Sequence, residues 1–138
     1  TELRNVIRGV YPAVLTDRGL DAALSGLAGR SAVPVTLDIA VEPRCSPTIE
    51  AIAYFVASEA LANVAKHSAA QRVDIVARRI DDRLRLTITD DGVGGAVARD
   101  GSGLAGLADR VGGVDGSLVV DSPAGGPTVL TVELPCAS

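Results

Sequence analysis

Methionine and tryptophan are absent from this 138-residue chain, and only three aromatic residues occur, Tyr11, Tyr54 and Phe55. The core must therefore be aliphatic, drawn from the 47% of residues that are hydrophobic. So few rings also remove the platforms on which single-stranded bases stack. Lysine is nearly missing, with Lys66 alone against twelve arginines, and His67 is the sole histidine. Acidic residues outnumber basic ones 17 to 13, and a net charge of −4 argues against a nucleic-acid partner. The two cysteines, Cys45 and Cys136, lie far apart and have no metal-ligand spacing. A single long-range disulfide is open to them, but two free thiols in a reducing cytoplasm are expected. No charge-free apolar run is long enough to span a bilayer, and no signal peptide opens the chain. A cytoplasmic domain without direct membrane contact is expected, whether or not a full-length protein carries an anchor.

What is present centres on Ile49 to His67, an almost wholly apolar stretch that reads as a long core helix started by Pro47 and Thr48. Glu59, Asn63 and Lys66 fall at i, i+4 and i+7, on one stripe of that helix. Polar groups on a buried helix must meet each other, an ion or a ligand, because each one left unpaired costs a few kcal/mol. The plainer reading is a stripe that reaches solvent near the helix C-terminus, where a cation suits the dipole.

Around this helix the patterns alternate in type. Thr1 to Val10 has helical spacing and stops at Pro12, and Thr16 or Asp17 offers an N-cap for a short helix over 18–27. Val33 to Val41 alternates as a strand that Pro34 places at an edge or a strand start. Residues 71–80 and 83–89 read as a hairpin across Asp81-Asp82, with a short helix over 104–111 and closing strands over 118–121 and 128–134. The fold class expected is α+β, a two-layer sandwich whose mixed, mostly antiparallel sheet is covered on one face by helices.

The second hairpin strand runs into Asp90-Asp91-Gly92-Val93-Gly94-Gly95. A carboxylate at the end of a buried strand accepts from an exocyclic amine, and glycines let backbone approach a flat ring. Asp-Gly is also ordinary turn chemistry, so this stretch alone leaves both readings open. Gly101-Ser102-Gly103-Leu104-Ala105-Gly106 then opens a helix, where free amides can cradle phosphate oxygens. It is formally G-x-G-x-x-G, but it does not directly follow a strand and no parallel βαβ unit surrounds it, which speaks against dinucleotide binding. No P-loop and no protein-kinase signature set occurs.

Taken together, Glu59-x-x-x-Asn63, Asp90-x-Gly92-x-Gly94 and Gly101-x-Gly103-Leu104-x-Gly106 resemble the N, G1 and G2 boxes of the GHKL ATPases, the Bergerat fold. The resemblance covers roughly Val33 to Pro135. Within that group, Glu59 to His67 looks most like the ATP-binding catalytic domain of a bacterial two-component sensor histidine kinase of the nitrate-sensor subclass. Arg8 to Leu20 resembles the junction leaving the dimerisation helices. The division expected is thus 1–30 as the tail of that helix with a linker and short helix, and 31–138 as the ATP-binding domain.

The resemblance implies ATP and Mg²⁺ as cofactors and transfer of the γ-phosphate to a histidine on a separate dimerisation domain, with a response regulator served indirectly. Asn63 would ligate Mg²⁺, and Glu59, the catalytic residue, would polarise a metal-bound water or position the reacting groups. Lys66, with His67, would neutralise phosphate charge. Asp90 would accept from the adenine amine, with Thr128 near the same water. Gly92 and Gly94 would shape the pocket wall, and Gly101, Ser102, Gly103, Leu104 and Gly106 would line the phosphates. Two departures stand out. Pro127 replaces the second glycine of the Gly-x-Gly-Thr that usually precedes the last strand, and the lid between Gly94 and Gly101 is very short. Modest affinity and a mobile loop are expected from these. Two rivals remain, an anti-sigma-factor-type serine kinase of the same fold and a degenerate domain that only mediates protein contacts.

Overall fold

The computed structural model describes Leu15 and residues 18–64, 71–92, 103–123 and 127–137, with backbone alone at 103–105. The elements are α1 (Leu20–Gly29), β1 (Val35–Ala40), α2 (Pro47–Asn63), β2 (Val73–Ile80), β3 (Arg83–Asp90), α3 (Gly103–Gly112), β4 (Ser117–Asp121) and β5 (Thr128–Pro135). The strands form one sheet in the order β1-β2-β3-β5-β4. β1 pairs parallel with β2, and the other three pairings are antiparallel. The mixed α+β architecture expected from the sequence is the one observed.

Local chemistry explains the element ends. Ser46 caps α2, its hydroxyl accepting from the Ile49 N–H at 3.3 Å, and Pro47 takes the first helical position, where no N–H is needed. The β2–β3 hairpin turns on Asp81 and Asp82, with Asp81 at φ 55, a conformation that aspartate tolerates better than most residues. α1 starts two residues later than its pattern suggested, because Gly19 sits at φ 94 immediately before it. β1 is shorter than the 33–41 pattern, and Pro34 precedes its first residue at the sheet edge. The helix over 1–10 and the caps proposed at Thr16 and Asp17 lie outside the described residues.

Strand alternation puts Ile75, Leu84, Leu86, Val132 and Leu134 on one face, all fully buried with Leu24, Ile49, Val56, Leu107 and Val111 from the helices. Each such aliphatic side chain contributes about 1.5–3 kcal/mol relative to exposure. The opposite face is mostly polar, with Val119 exposed on it. Arg78 pairs with Asp38 at 2.6 Å, Arg85 with Glu133 at 2.7 Å, and Thr36 bonds Asp74. That face can meet water without a second layer.

One expectation is overturned. Cys45 and Cys136 are joined by a disulfide, with Cα atoms 4.5 Å apart, and no free cysteine remains. The loop into α2 crosses the end of the sheet where β5 finishes. There the Ser46 N–H donates to Cys136 O at 2.8 Å, and the Cys136 N–H donates to Asp82 O at 2.7 Å. A separation of 91 residues kept this proximity out of any local pattern.

Candidate functional site

The site residues are positioned by α2 and β3, which share the sheet's covered face. The start of α2 is bonded to the end of the sheet where β3 begins, through Ser46, Cys136 and Asp82. α2 has 17 residues and β3 has 8, lengths of about 25 Å and 27 Å. The two elements thus have nearly equal reach from the end they share. Past α2 the chain re-enters the sheet at Val73, the register partner of Asp90.

Asp90 continues the buried row Leu84, Leu86, Ile88 and is 6% exposed. Its Oδ1 accepts the Gly92 N–H at 2.8 Å. Its Oδ2 has no partner among the described residues. Burial pushes the Asp90 carboxyl above its ordinary value, the Gly92 bond works against that, and the neighbouring Asp91 charge adds to it. Thr128 stands directly opposite Asp90 in the β3–β5 register, and its hydroxyl lies 2.6 Å from that of Ser122.

Glu59 and Asn63 are half-buried on the last turns of α2. Their oxygens are hard donors of the kind that Mg²⁺ takes with several waters retained. No cluster of three or more acids, histidines or cysteines placed to hold a metal ion occurs among the described residues.

Gly103 and Gly106 lie in the first turn of α3, with Leu104 between them. A Cβ at Gly106 would meet nothing within 4 Å, which leaves open space beside that turn. α3 is held by Leu107 and Val111 in the core and by Arg110, whose guanidinium sits 4.2 Å above the Phe55 ring of α2. Such a stack adds about 0.5–1 kcal/mol at an exposed site. It fastens the glycine-led helix to the helix carrying Glu59 and Asn63. Lys66, His67, Gly94, Gly101 and Ser102, and with them the lid, lie outside the described residues.

Two contributors were missed from sequence. Asp91 accepts the Gln71 and Arg72 N–H groups at 2.8 and 3.1 Å and so fixes the entry to β2 beside Asp90. Those bonds hold its carboxyl below the ordinary range. Its partners lie about twenty residues upstream, beyond any local signal. The pairing of Ser122 with Thr128 was not read from the sequence, where Ser122 stands only as part of a Ser-Pro step.

No family model matches the chain. Among curated proteins it is similar to the sensor histidine kinase MctS of Rhizobium johnstonii, 31% identical over 97% of this chain and 31% of that protein. It is similar to the nitrate/nitrite sensor protein NarX of Escherichia coli, 32% identical over 86% of this chain and 21% of that protein. The chain thus spans about a third or less of either relative. Among solved structures it is similar to the histidine kinase domain of the Erythrobacter litoralis EL346 blue-light activated kinase, with a TM-score of 0.64 and 21% identity over 86% of this chain and 59% of that one. The mycobacterial sensor histidine kinase MprB gives a TM-score of 0.59 and 26% identity over 86% of this chain and 92% of that one.

Proposed function

Because the chain belongs to the sensor histidine kinases of the nitrate-sensor kind, as their Bergerat-fold catalytic domain, we propose that it binds Mg-ATP and donates the γ-phosphate to a histidine on a separate dimerisation domain. The observation that carries this reading is Asp90, a buried carboxylate with one oxygen fixed by a backbone amide and the other without a partner among the described residues. That arrangement suits a neutral heterocycle bearing an amine better than it suits solvent.

Each residue then has a task. Asp90 Oδ2 accepts from the adenine amine, and the Gly92 N–H on Oδ1 holds the carboxylate in plane. Thr128, tethered by Ser122, shares a water with Asp90. Asn63 and Glu59 supply oxygen donors where the triphosphate begins. The first turn of α3 offers amides and open space to the phosphates, with Gly101 and Ser102 ahead of it. Lys66 and His67 balance phosphate charge. Mg²⁺, when bound, neutralises developing charge on the phosphoryl oxygens; the protein's part is positioning and electrostatics. His67, the sole histidine, belongs to the motif itself, so the acceptor lies on another domain and a response regulator is served downstream of it.

Titration with a non-hydrolysable ATP analogue and Mg²⁺ tests this. Saturable one-site binding is expected, weakened about tenfold or more in Asp90→Ala, since a hydrogen bond to a charged acceptor is worth roughly 1.5–3 kcal/mol. Asn63→Ala should cost more with Mg²⁺ than with chelator. No binding at millimolar nucleotide would leave a protein-contact domain as the better reading.

A further inference from the structure

The end of the molecule remote from Asp90 carries a second cluster of chemistry, in the loop 42–46. Arg44 pairs bidentately with Glu50 at 2.6 and 2.9 Å, and Glu50 is only 2% exposed in the first turn of α2. The same guanidinium donates to Leu15 O at 3.0 Å. It also lies over Gly19, where an added Cβ would stand 3.2 Å from Nε. Arg44 thereby seats the segment entering α1 on the start of α2. The next residue, Cys45, is bonded to Cys136.

Cys45 and Cys136 are themselves buried at the margin of the core cluster. Helices and sheet bury a continuous aliphatic cluster, and the disulfide joins two residues beyond the element ends. Arg79 Nη1 donates to Pro43 O at 3.0 Å, so the loop stays attached without it. Cys136 lies past the β5 ladder and is held there by two backbone bonds, one to Asp82 and one from Ser46. Releasing those two bonds opens the sulfurs to a reagent without disturbing a strand.

We propose that Cys45 and Cys136 form a reversible thiol–disulfide site whose state sets how firmly Arg44 ties Leu15 and Gly19 to the start of α2. The oxidant is a low-molecular-weight disulfide. One cysteine thiolate attacks it, forming a mixed disulfide and releasing one thiolate. The second cysteine then attacks the bonded sulfur, closing the Cys45–Cys136 bond and releasing the other. Two electrons pass to the small disulfide, and its two released thiolates take up the two cysteine protons. Two equivalents of the same thiol run the exchange backward.

The test equilibrates the full chain in glutathione buffers of graded oxidised-to-reduced ratio, traps thiols by alkylation, and measures amide hydrogen exchange in each form. The cysteines should react together, none or both, in a protein that keeps its circular dichroism. In the dithiol form the Ser46 and Gly19 amides should exchange at least tenfold faster. Arg44→Gln should make the Gly19 amide fast in both forms while Ser46 still responds. A Cys45→Ser, Cys136→Ser double variant should fold and match the dithiol form whatever the buffer. A bond that resists every ratio until the protein unfolds, a double variant that does not fold, or a Gly19 amide indifferent to reduction would each overturn the proposal. None of these readouts needs nucleotide, so they stand apart from the ATP-binding reading.

Discussion

Asp90 and Asp91 are adjacent carboxylates that β3 leaves in opposite surroundings. Burial raises the first, while the Gln71 and Arg72 amides lower the second. The folded state thus holds the Asp90 proton more tightly than the unfolded chain does. Its stabilising effect is present below the ordinary value of 3.8 and is lost as pH rises through the raised value. Ionised Asp90 is therefore a cost at neutral pH, kept for its acceptor oxygen. Asp90→Asn should raise the thermal midpoint at pH 7 and lose that advantage in melts near pH 3, while nucleotide affinity falls about tenfold because an amide now donates where an acceptor is needed. A midpoint that drops at pH 7 would show that the charge supports the fold instead. Asp91 follows the opposite sign, supporting the β2 entry above its ordinary range and releasing it as pH falls through the depressed value. Asp90, Glu59 and Asn63 could be singled out from sequence because each stands in a short motif on one element. Asp91's role could not, since its partners come from another strand's entrance.

Elements were legible where their signals are local. The Pro47 start of α2, the Asp81-Asp82 hairpin and the alternation of β3 all appear within a few residues. The parallel β1–β2 pairing and the disulfide were not, since both depend on the crossover that α2 makes between distant segments. Ser46→Ala removes the cap on that crossover and should cost about 1 kcal/mol in chemical denaturation. Gly116, at the α3–β4 corner, is more demanding. A Cβ there would lie 2.6 Å from Glu133 O and 2.8 Å from Leu134 Cδ2 and Val111 Cγ1. Backbone and core atoms cannot yield cheaply, so Gly116→Ala should destabilise by roughly 1–3 kcal/mol. An unchanged denaturation midpoint would mean that α3 is packed more loosely against β5 than the geometry indicates.

At the scale of the molecule the two ends of the sheet divide the work. The hairpin end carries fasteners, namely Arg44 with Glu50, Arg79 with Pro43, and Cys45 with Cys136. The other end holds Asp90 with Thr128 opposite it in register. The fold class was legible because the three boxes occur in order, whereas the placing of the two ends emerges only from sheet register. The direct test replaces Mg²⁺ by paramagnetic Mn²⁺ with a non-hydrolysable ATP analogue and maps which backbone amide signals broaden. Broadening should centre on Glu59, Asn63 and the first turn of α3 and spare Asp81 and Asp82. With nucleotide saturating, broadening centred on the hairpin end, or none beyond a metal-only control, would contradict a metal-bearing nucleotide seated between α2 and the end of β3.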